Sequence, residues 1–178
     1  KITNKLREEL NINAVLAELL VSRGIETFGE SKQFFRPQLT DLHDPFLMRD
    51  MEKAITRIIQ AIGNKEKILI YGDYDVDGTT AVAVVYSFFR EFHSQLEFYI
   101  PDRYAEGYGI STQGIDYAAA NGFSLIIALD CGIKAIDKID YANSKGIDFI
   151  IGDHHLPGEE LPRAYAVLDP KRIDCEYP

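Results

Sequence analysis

From residue 64 onward the chain alternates short apolar runs with longer amphipathic stretches, and this alternation narrows the fold more than any other feature. Runs rich in β-branched and aromatic residues near 67–72, 95–100, 124–129, 147–151 and 164–168 read as strands. The stretches 78–92, 112–121 and 133–145 carry helical spacing. The pattern predicts an α/β fold, a parallel sheet with helices on both faces joined by right-handed crossovers. In such a sheet, ligands gather outside the carboxyl ends of the strands. Acidic residues stand at three of those ends. Asp73 follows the run Ile68 to Gly72, with Asp75 and Asp77 close behind. Asp130 follows Leu125 to Leu129, and Asp153 follows Phe149 to Gly152 and leads into His154 and His155. Residues 80 positions apart are thus predicted to meet at one edge.

Residues 1–63 read as a helical N-terminal segment, and 64–178 as the α/β domain. Asn11 or Asn13 is placed to cap a short helix carrying Val15, Leu16, Leu19 and Leu20, with Gly24 as its stop. Ser31 is placed to cap a brief helix through Phe34 and Phe35, and 38–48 reads as a loop. Asp50 is placed to cap a helix whose Met51, Ala54, Ile55, Ile58, Ile59 and Ile62 share one face. With 46% hydrophobic residues the chain can bury a proper core. No apolar run approaches the roughly 20 residues of a membrane span, and the N-terminus shows no secretory pattern. Cys131 and Cys175 make no disulfide framework, so a reduced cytoplasmic setting with no membrane association is expected.

Three carboxylates within five residues repel one another unless positive charge lies among them, and a divalent cation supplies it. Carboxylates with one or two imidazoles suit Mn²⁺ or Mg²⁺; Zn²⁺ is less favoured without a thiolate set. Cys131 reads as a packing residue. Two ions held about 3.5–4 Å apart would act on a phosphoryl group. A net charge of −9 argues against a general nucleic-acid binder. Asp73, Asp75, Asp77, Asp130 and Asp153 supply part of that charge, however, so an anionic substrate could be held through metal. The spacing Asp73-x-Asp75-x-Asp77-Gly78 also opens a calcium-binding EF-hand loop, but the twelfth position is Val84 instead of glutamate. A haloacid-dehalogenase-type phosphatase would need a second acid where Pro157 stands. Singly, Asp130 or Asp153 reads as a helix cap and the histidines as a surface turn; only the set points to metal.

The three clusters, in this order, resemble the DHH phosphoesterase superfamily. Asp153-His154-His155 matches its signature, Asp73 to Gly78 its first motif, and Leu129-Asp130-Cys131-Gly132 its second. The likeness is closest to the branch of bacterial single-strand-specific DNA exonucleases, extending over Leu42 to Met48, Pro101 to Gly109 and Leu168 to Lys171. It implies Mn²⁺- or Mg²⁺-assisted 5′→3′ hydrolysis of single-stranded DNA in repair and recombination. The alternative within the superfamily is a phosphodiesterase for short oligonucleotides or cyclic dinucleotides; outside enzymes it is a partner-binding scaffold. By resemblance Asp75, Asp77, Asp130 and His154 are metal ligands, with Asp130 bridging, and Asp73 and Asp153 are ligands or orienters. His155 faces the scissile phosphate, and Arg103 and Tyr108 contact DNA. Some members carry histidine where this chain has Tyr71. The resemblance further implies a longer, monomeric protein with another metal-binding aspartate and DNA-gripping domains beyond Pro178. A single-strand-binding protein and a helicase are its implied partners, and the 178-residue piece alone is expected to be nearly inactive.

Overall fold

The computed structural model describes all residues, Lys1–Pro178. They form two compact units, Lys1–Asp44 and Pro45–Pro178. The first unit contains α1 (Ile2–Leu10), α2 (Ala14–Val21), α3 (Phe28–Phe35) and a 3₁₀ turn at Leu39–Asp41. Asn13 caps α2 by accepting the Leu16 amide at 2.9 Å, whereas Asn11 adopts a left-handed conformation that ends α1. The cap of α3 is Thr27, not Ser31. Thr27 and Glu30 each satisfy an amide at the helix start, forming a capping box, while Ser31 is buried one turn further on.

The second unit contains α4 (Met51–Gly63), β1 (Lys67–Gly72), α5 (Val76–Phe89), β2 (Leu96–Tyr99), α6 (Thr112–Ala120), β3 (Phe123–Leu129), α7 (Ile136–Ser144), β4 (Asp148–Gly152) and β5 (Ala166–Leu168). The strands form one sheet in the order β2-β1-β3-β4-β5, every neighbouring pair parallel. The strand period of two sends Leu69 and Tyr71 to one face and Ile68 and Ile70 to the other. On the first face they meet Ile115 and Ala118 of α6 and Ile139 and Ala142 of α7. On the second they meet Val82 of α5 and Ala54 and Ala61 of α4. Two covered faces account for the near-continuous apolar strands. Each fully buried aliphatic side chain contributes about 1.5–3 kcal/mol.

Ala54, Ile58, Ala61 and Ile62 of α4 pack on the sheet, whereas Ile59, expected on the same face, is exposed; α4 lies within the second unit. Asp50 does not cap α4 with its side chain. The carboxylate accepts the Val167 amide at 3.2 Å and Arg172 Nη1 at 2.8 Å, tying the start of α4 to β5. No helix is long and apolar enough to cross a membrane.

The strand order positions the site. The chain leaves β1 for β2 on one side, with α5 on one face. It returns to β3 on the other side of β1, with α6 on the opposite face. The connections thus diverge between β1 and β3, opening a crevice at the carboxyl ends of those strands. Asp73 and Asp130 follow them directly.

Candidate metal centre

Asp73 is fully buried at the end of β1. Its Oδ1 accepts the Tyr74 amide at 2.7 Å, and its Oδ2 accepts the Gly109 amide at 3.0 Å. Asp75 caps α5, accepting the Gly78 amide at 3.0 Å, and Asp77 lies exposed in the first helical turn. Gly78 lets the helix begin this close to the strand. A Cβ there would stand 2.5 Å from the Asp73 carbonyl oxygen and 2.6 Å from its nitrogen.

Asp130 leaves β3 with φ 60, a left-handed conformation uncommon outside glycine, while its amide donates to the Gly152 carbonyl at 2.8 Å. One carboxylate oxygen lies 2.9 Å from His154 Nε2. Asp153 organises the turn after β4. Its Oδ2 accepts the Ile133 amide at 2.9 Å. Its Oδ1 faces the His154 amide at 2.7 Å, the His155 amide at 3.1 Å and His155 Nδ1 at 2.7 Å. The two imidazole rings are 4.9 Å apart. Asp130, His154 and His155 each present a ligand atom within 4.8 Å of the others, close enough to share a cation.

Electrostatics separates these carboxylates. Burial, followed by the Asp75 charge, raises the Asp130 carboxyl above the ordinary range. Asp73 is raised too, chiefly by burial, with Asp75 adding. Burial also works to raise Asp153, but the Ile133, His155 and His154 donors outweigh it and the carboxyl is lowered. His155 is raised, first by its bond to Asp153. The Tyr108 phenol is pushed up to about 12 by burial and by the charges of Asp73, Asp75 and Asp130, which places it in the field of the same cluster. No lysine or arginine forms an ion pair with Asp73, Asp75, Asp77 or Asp130.

All seven acidic and histidine positions singled out from the sequence follow β1, β3 or β4. Asp77 lines a groove with Met48, Ala81, Asp130, His154 and Pro170. Beside His155 lies a cleft of about 530 Å³, lined among others by Tyr108, Gly132, Lys134 and Lys138. Arg103 rests over the Tyr74 ring at 5.3 Å, and Tyr74 meets Tyr108 edge-on at 5.8 Å. Cys131 is buried in the core, as a packing residue is. Tyr71 is also buried there, and its hydroxyl holds Gly109 and Ser111. Sequence reasoning missed two neighbours. Tyr74 lies between two of the aspartates, and its role as a platform has no periodic signal. Asp169 follows β5 as Asp130 follows β3; it is fully buried, with Oδ1 on the Lys171 amide and Oδ2 without a partner. The rule that found the other acids would have found this one.

An open parallel α/β sheet with a carboxylate and imidazole rim at its switch point defines a class, the doubly wound proteins that present oxygen and nitrogen donors to a ligand at the strand ends. The profile of the DHH family, N-terminal domain, matches residues 67–176, and the chain belongs to that family. The single-stranded-DNA-specific exonuclease RecJ of Bacillus subtilis (strain 168) is 45% identical over 173 residues, 97% of this chain and 22% of that protein. RecJ of Escherichia coli (strain K12) is 33% identical over 165 residues, 92% of this chain and 28% of that protein. The chain thus spans less than a third of these relatives. A crystal structure of exonuclease RecJ bound to manganese superposes with a TM-score of 0.67 at 25% identity, covering 75% of this chain and 34% of that one. RecJ from Thermus thermophilus, in complex with Mn²⁺, shares the fold with a TM-score of 0.70 at 21% identity, over 98% of this chain and 24% of that one.

Proposed function

We propose that this chain is the catalytic front part of a metal-dependent exonuclease that hydrolyses phosphodiester bonds of single-stranded DNA. The observation that carries the reading is the convergence of Asp130, His154 and His155 within ligand distance of one another, beside Asp73, Asp75 and Asp77, which no lysine or arginine pairs with. The relatives named as single-strand-specific exonucleases, and those with manganese, support it.

The donor set fits a hard divalent cation: carboxylate oxygens and imidazoles, with the Cys131 sulfur withdrawn into the core. Asp75, Asp77, Asp130 and His154 would hold Mn²⁺ or Mg²⁺, with Asp73 beside them. When bound, the ions would supply positive charge to a phosphoryl transition state and activate water. The remaining steps belong to the chain. Asp153, surrounded by donors, acts as the orienter; it holds Nδ1 of His155 and leaves Nε2 to face the substrate. The raised His155 carries a proton more readily than a free imidazole and can donate it to a phosphate oxygen. Arg103, Tyr74 and Tyr108 offer a cationic and aromatic surface on which a single strand can lie.

The finer reading is 5′→3′ polarity in DNA repair and recombination. The setting is the bacterial cytoplasm, and the protein is a monomer working with a single-strand-binding protein and a helicase. Residues 64–178 form the phosphoesterase domain, with α4 as its support. The test is release of mononucleotides from 5′-phosphorylated single-stranded DNA by the full-length protein with Mn²⁺. Asp130→Ala is expected to abolish release and to weaken Mn²⁺ binding in calorimetry. Unchanged release would reject the assignment of Asp130. Preferred turnover of dinucleotides over long strands would shift the reading to short oligonucleotides.

A further inference from the structure

We infer that Glu106 is a positioning residue, which sets the reach of the nucleic-acid surface by clamping the two ends of the 100–111 segment to each other and to β2. The inference rests on the proposed single-strand substrate and identifies what holds the binding surface in place.

The segment joins β2 to α6 and contains Arg103 and Tyr108. Tyr108 is 58% exposed and stands between Gly107 at φ 87 and Gly109 at φ 81. Two left-handed glycines in three residues turn the chain out and back, and such glycines lose more conformational freedom on ordering than any other residue, so ties are needed to hold the segment in one arrangement. The ties come from three sides. The Gly109 amide donates to Asp73 Oδ2 at 3.0 Å, and the Gly109 carbonyl accepts the Tyr71 hydroxyl at 2.9 Å. That hydroxyl in turn accepts the Ser111 amide at 3.0 Å.

Glu106 gathers the rest. One carboxylate oxygen accepts the Asp102 amide at 2.8 Å; the other accepts the Tyr99 hydroxyl at 2.8 Å and the Ser111 hydroxyl. The same Ser111 oxygen accepts the Gly114 amide at 2.9 Å and caps α6. The carboxylate therefore clamps the start of the segment to its end and both to β2. Tyr99 stacks on Tyr71 at 5.4 Å, which continues the clamp beneath the rim. Glu106 is set back from the exposed surface and points into its own loop. Its part is to keep Arg103 over Tyr74 and Tyr108 edge-on to Tyr74, beside the carboxylates. A single strand meeting a preset surface loses less ordering entropy than one that must freeze a loose loop.

The experiment uses the full-length protein, with Glu106→Ala and Glu106→Gln. Affinity for a 5′-phosphorylated oligothymidylate of about 20 nucleotides, long enough to cross the whole surface, is read by anisotropy in EDTA, without metal. Turnover with Mn²⁺ is read on that strand and on the p-nitrophenyl ester of thymidine 5′-monophosphate, which is too small to lie along the segment. Glu106→Ala is expected to raise Kd and KM for the strand by about tenfold, with kcat altered by less than about threefold. The small ester keeps its KM within about twofold, and Glu106→Gln, which retains an acceptor, recovers most of the strand affinity. If Glu106→Ala does not fold, Tyr99→Phe removes one tie while keeping the stacked ring, and a smaller rise in Kd and KM is expected. Unchanged strand affinity in a folded variant, or equal losses on both substrates, overturns the inference. A wild-type protein that binds the strand in EDTA but never hydrolyses it with Mn²⁺ overturns instead the function proposed for the site.

Discussion

The two ends of the sheet treat their acids in opposite ways. At the amino ends of the strands, Glu66 and Asp148 face Arg57 of α4, with Nη2 and Nε each 2.7 Å from a carboxylate oxygen. Burial works to raise Glu66, but hydrogen bonds from Ser124 and Arg57 prevail and its carboxyl is lowered. At the carboxyl ends, Asp73, Asp130 and Asp169 are all raised by burial; no lysine or arginine is ion-paired with Asp73 or Asp130, and the Lys171 charge near Asp169 does not overcome its burial. Asp153 is lowered instead, through amide donors and its bond to His155. At the amino end one guanidinium serves two carboxylates, and the ion pairs serve the fold. The carboxyl end has no such lysine or arginine pair for Asp73 or Asp130, and a left-handed Asp130 and a glycine at the helix start hold its carboxylates in place. A site for a cation is a place where the chain withholds its own.

The largest test of this contrast is Arg57→Ala. Arg57 is 6% exposed, and its removal leaves two carboxylates facing one another. Asp148 is 41% exposed, so the loss falls below that of a fully buried pair, at about 2–4 kcal/mol. For a chain of this size that is a fall of roughly 5–15 °C in Tm. Next comes the response to metal. Mn²⁺ at about a hundred times its Kd is expected to stabilise the wild-type protein by about 2.7 kcal/mol. Asp130→Asn should lose most of this stabilisation in calorimetry and thermal melts, whereas Arg57→Ala should keep it on a lowered baseline. Without metal, Asp130→Asn is expected to melt about 1–3 °C above wild type, because asparagine tolerates the left-handed conformation and removes a repelling charge. A fall in the metal-free Tm would show that Asp130 serves the fold as Glu66 does, and the contrast would fail.

Much of this was legible before any coordinates. The strands are apolar on both faces, so their runs stood out, and β1 falls on 67–72 as expected. Acids placed after strands led to the rim, because parallel strands bring their carboxyl ends together whatever their separation in sequence. What stayed hidden involves single atoms. Ser31 and Asp50 were read as caps because their residue types favour that role. Thr27 with Glu30 makes the better cap, and Asp50 turns to Arg172 and the Val167 amide. The hold of Tyr71 on Gly109 joins residues 38 apart, and no periodicity announces such a bond. Asp153 is expected as a ligand or an orienter, and the sequence leaves the two open; the donors from Ile133 and its own turn, with His155 Nδ1, are what an orienter would have.

The smallest effect, and the most direct reading of the contrast, is the pH dependence of stability without metal. The folded-state pKa of Glu66 lies below its ordinary 4.5, so its stabilisation is present above that value and is lost as pH falls through the lower folded pKa. Asp73, Asp130 and Asp169 lie above their ordinary 3.8. Each is unfavourable while ionised, and that penalty is relieved as pH falls through its raised value towards 3.8. The two ends of the sheet therefore contribute slopes of opposite sign on the acid side of neutrality. Denaturant melts from about pH 7 downward should show Asp130→Asn flattening the gain that wild type makes above the ordinary carboxylate range. Glu66→Gln should instead flatten the loss below it. If both substitutions removed the same limb of the curve, the two ends would be electrostatically alike, and the absence of a lysine or arginine ion pair at Asp73 and Asp130 would no longer distinguish a cation site from an ordinary cluster of acids.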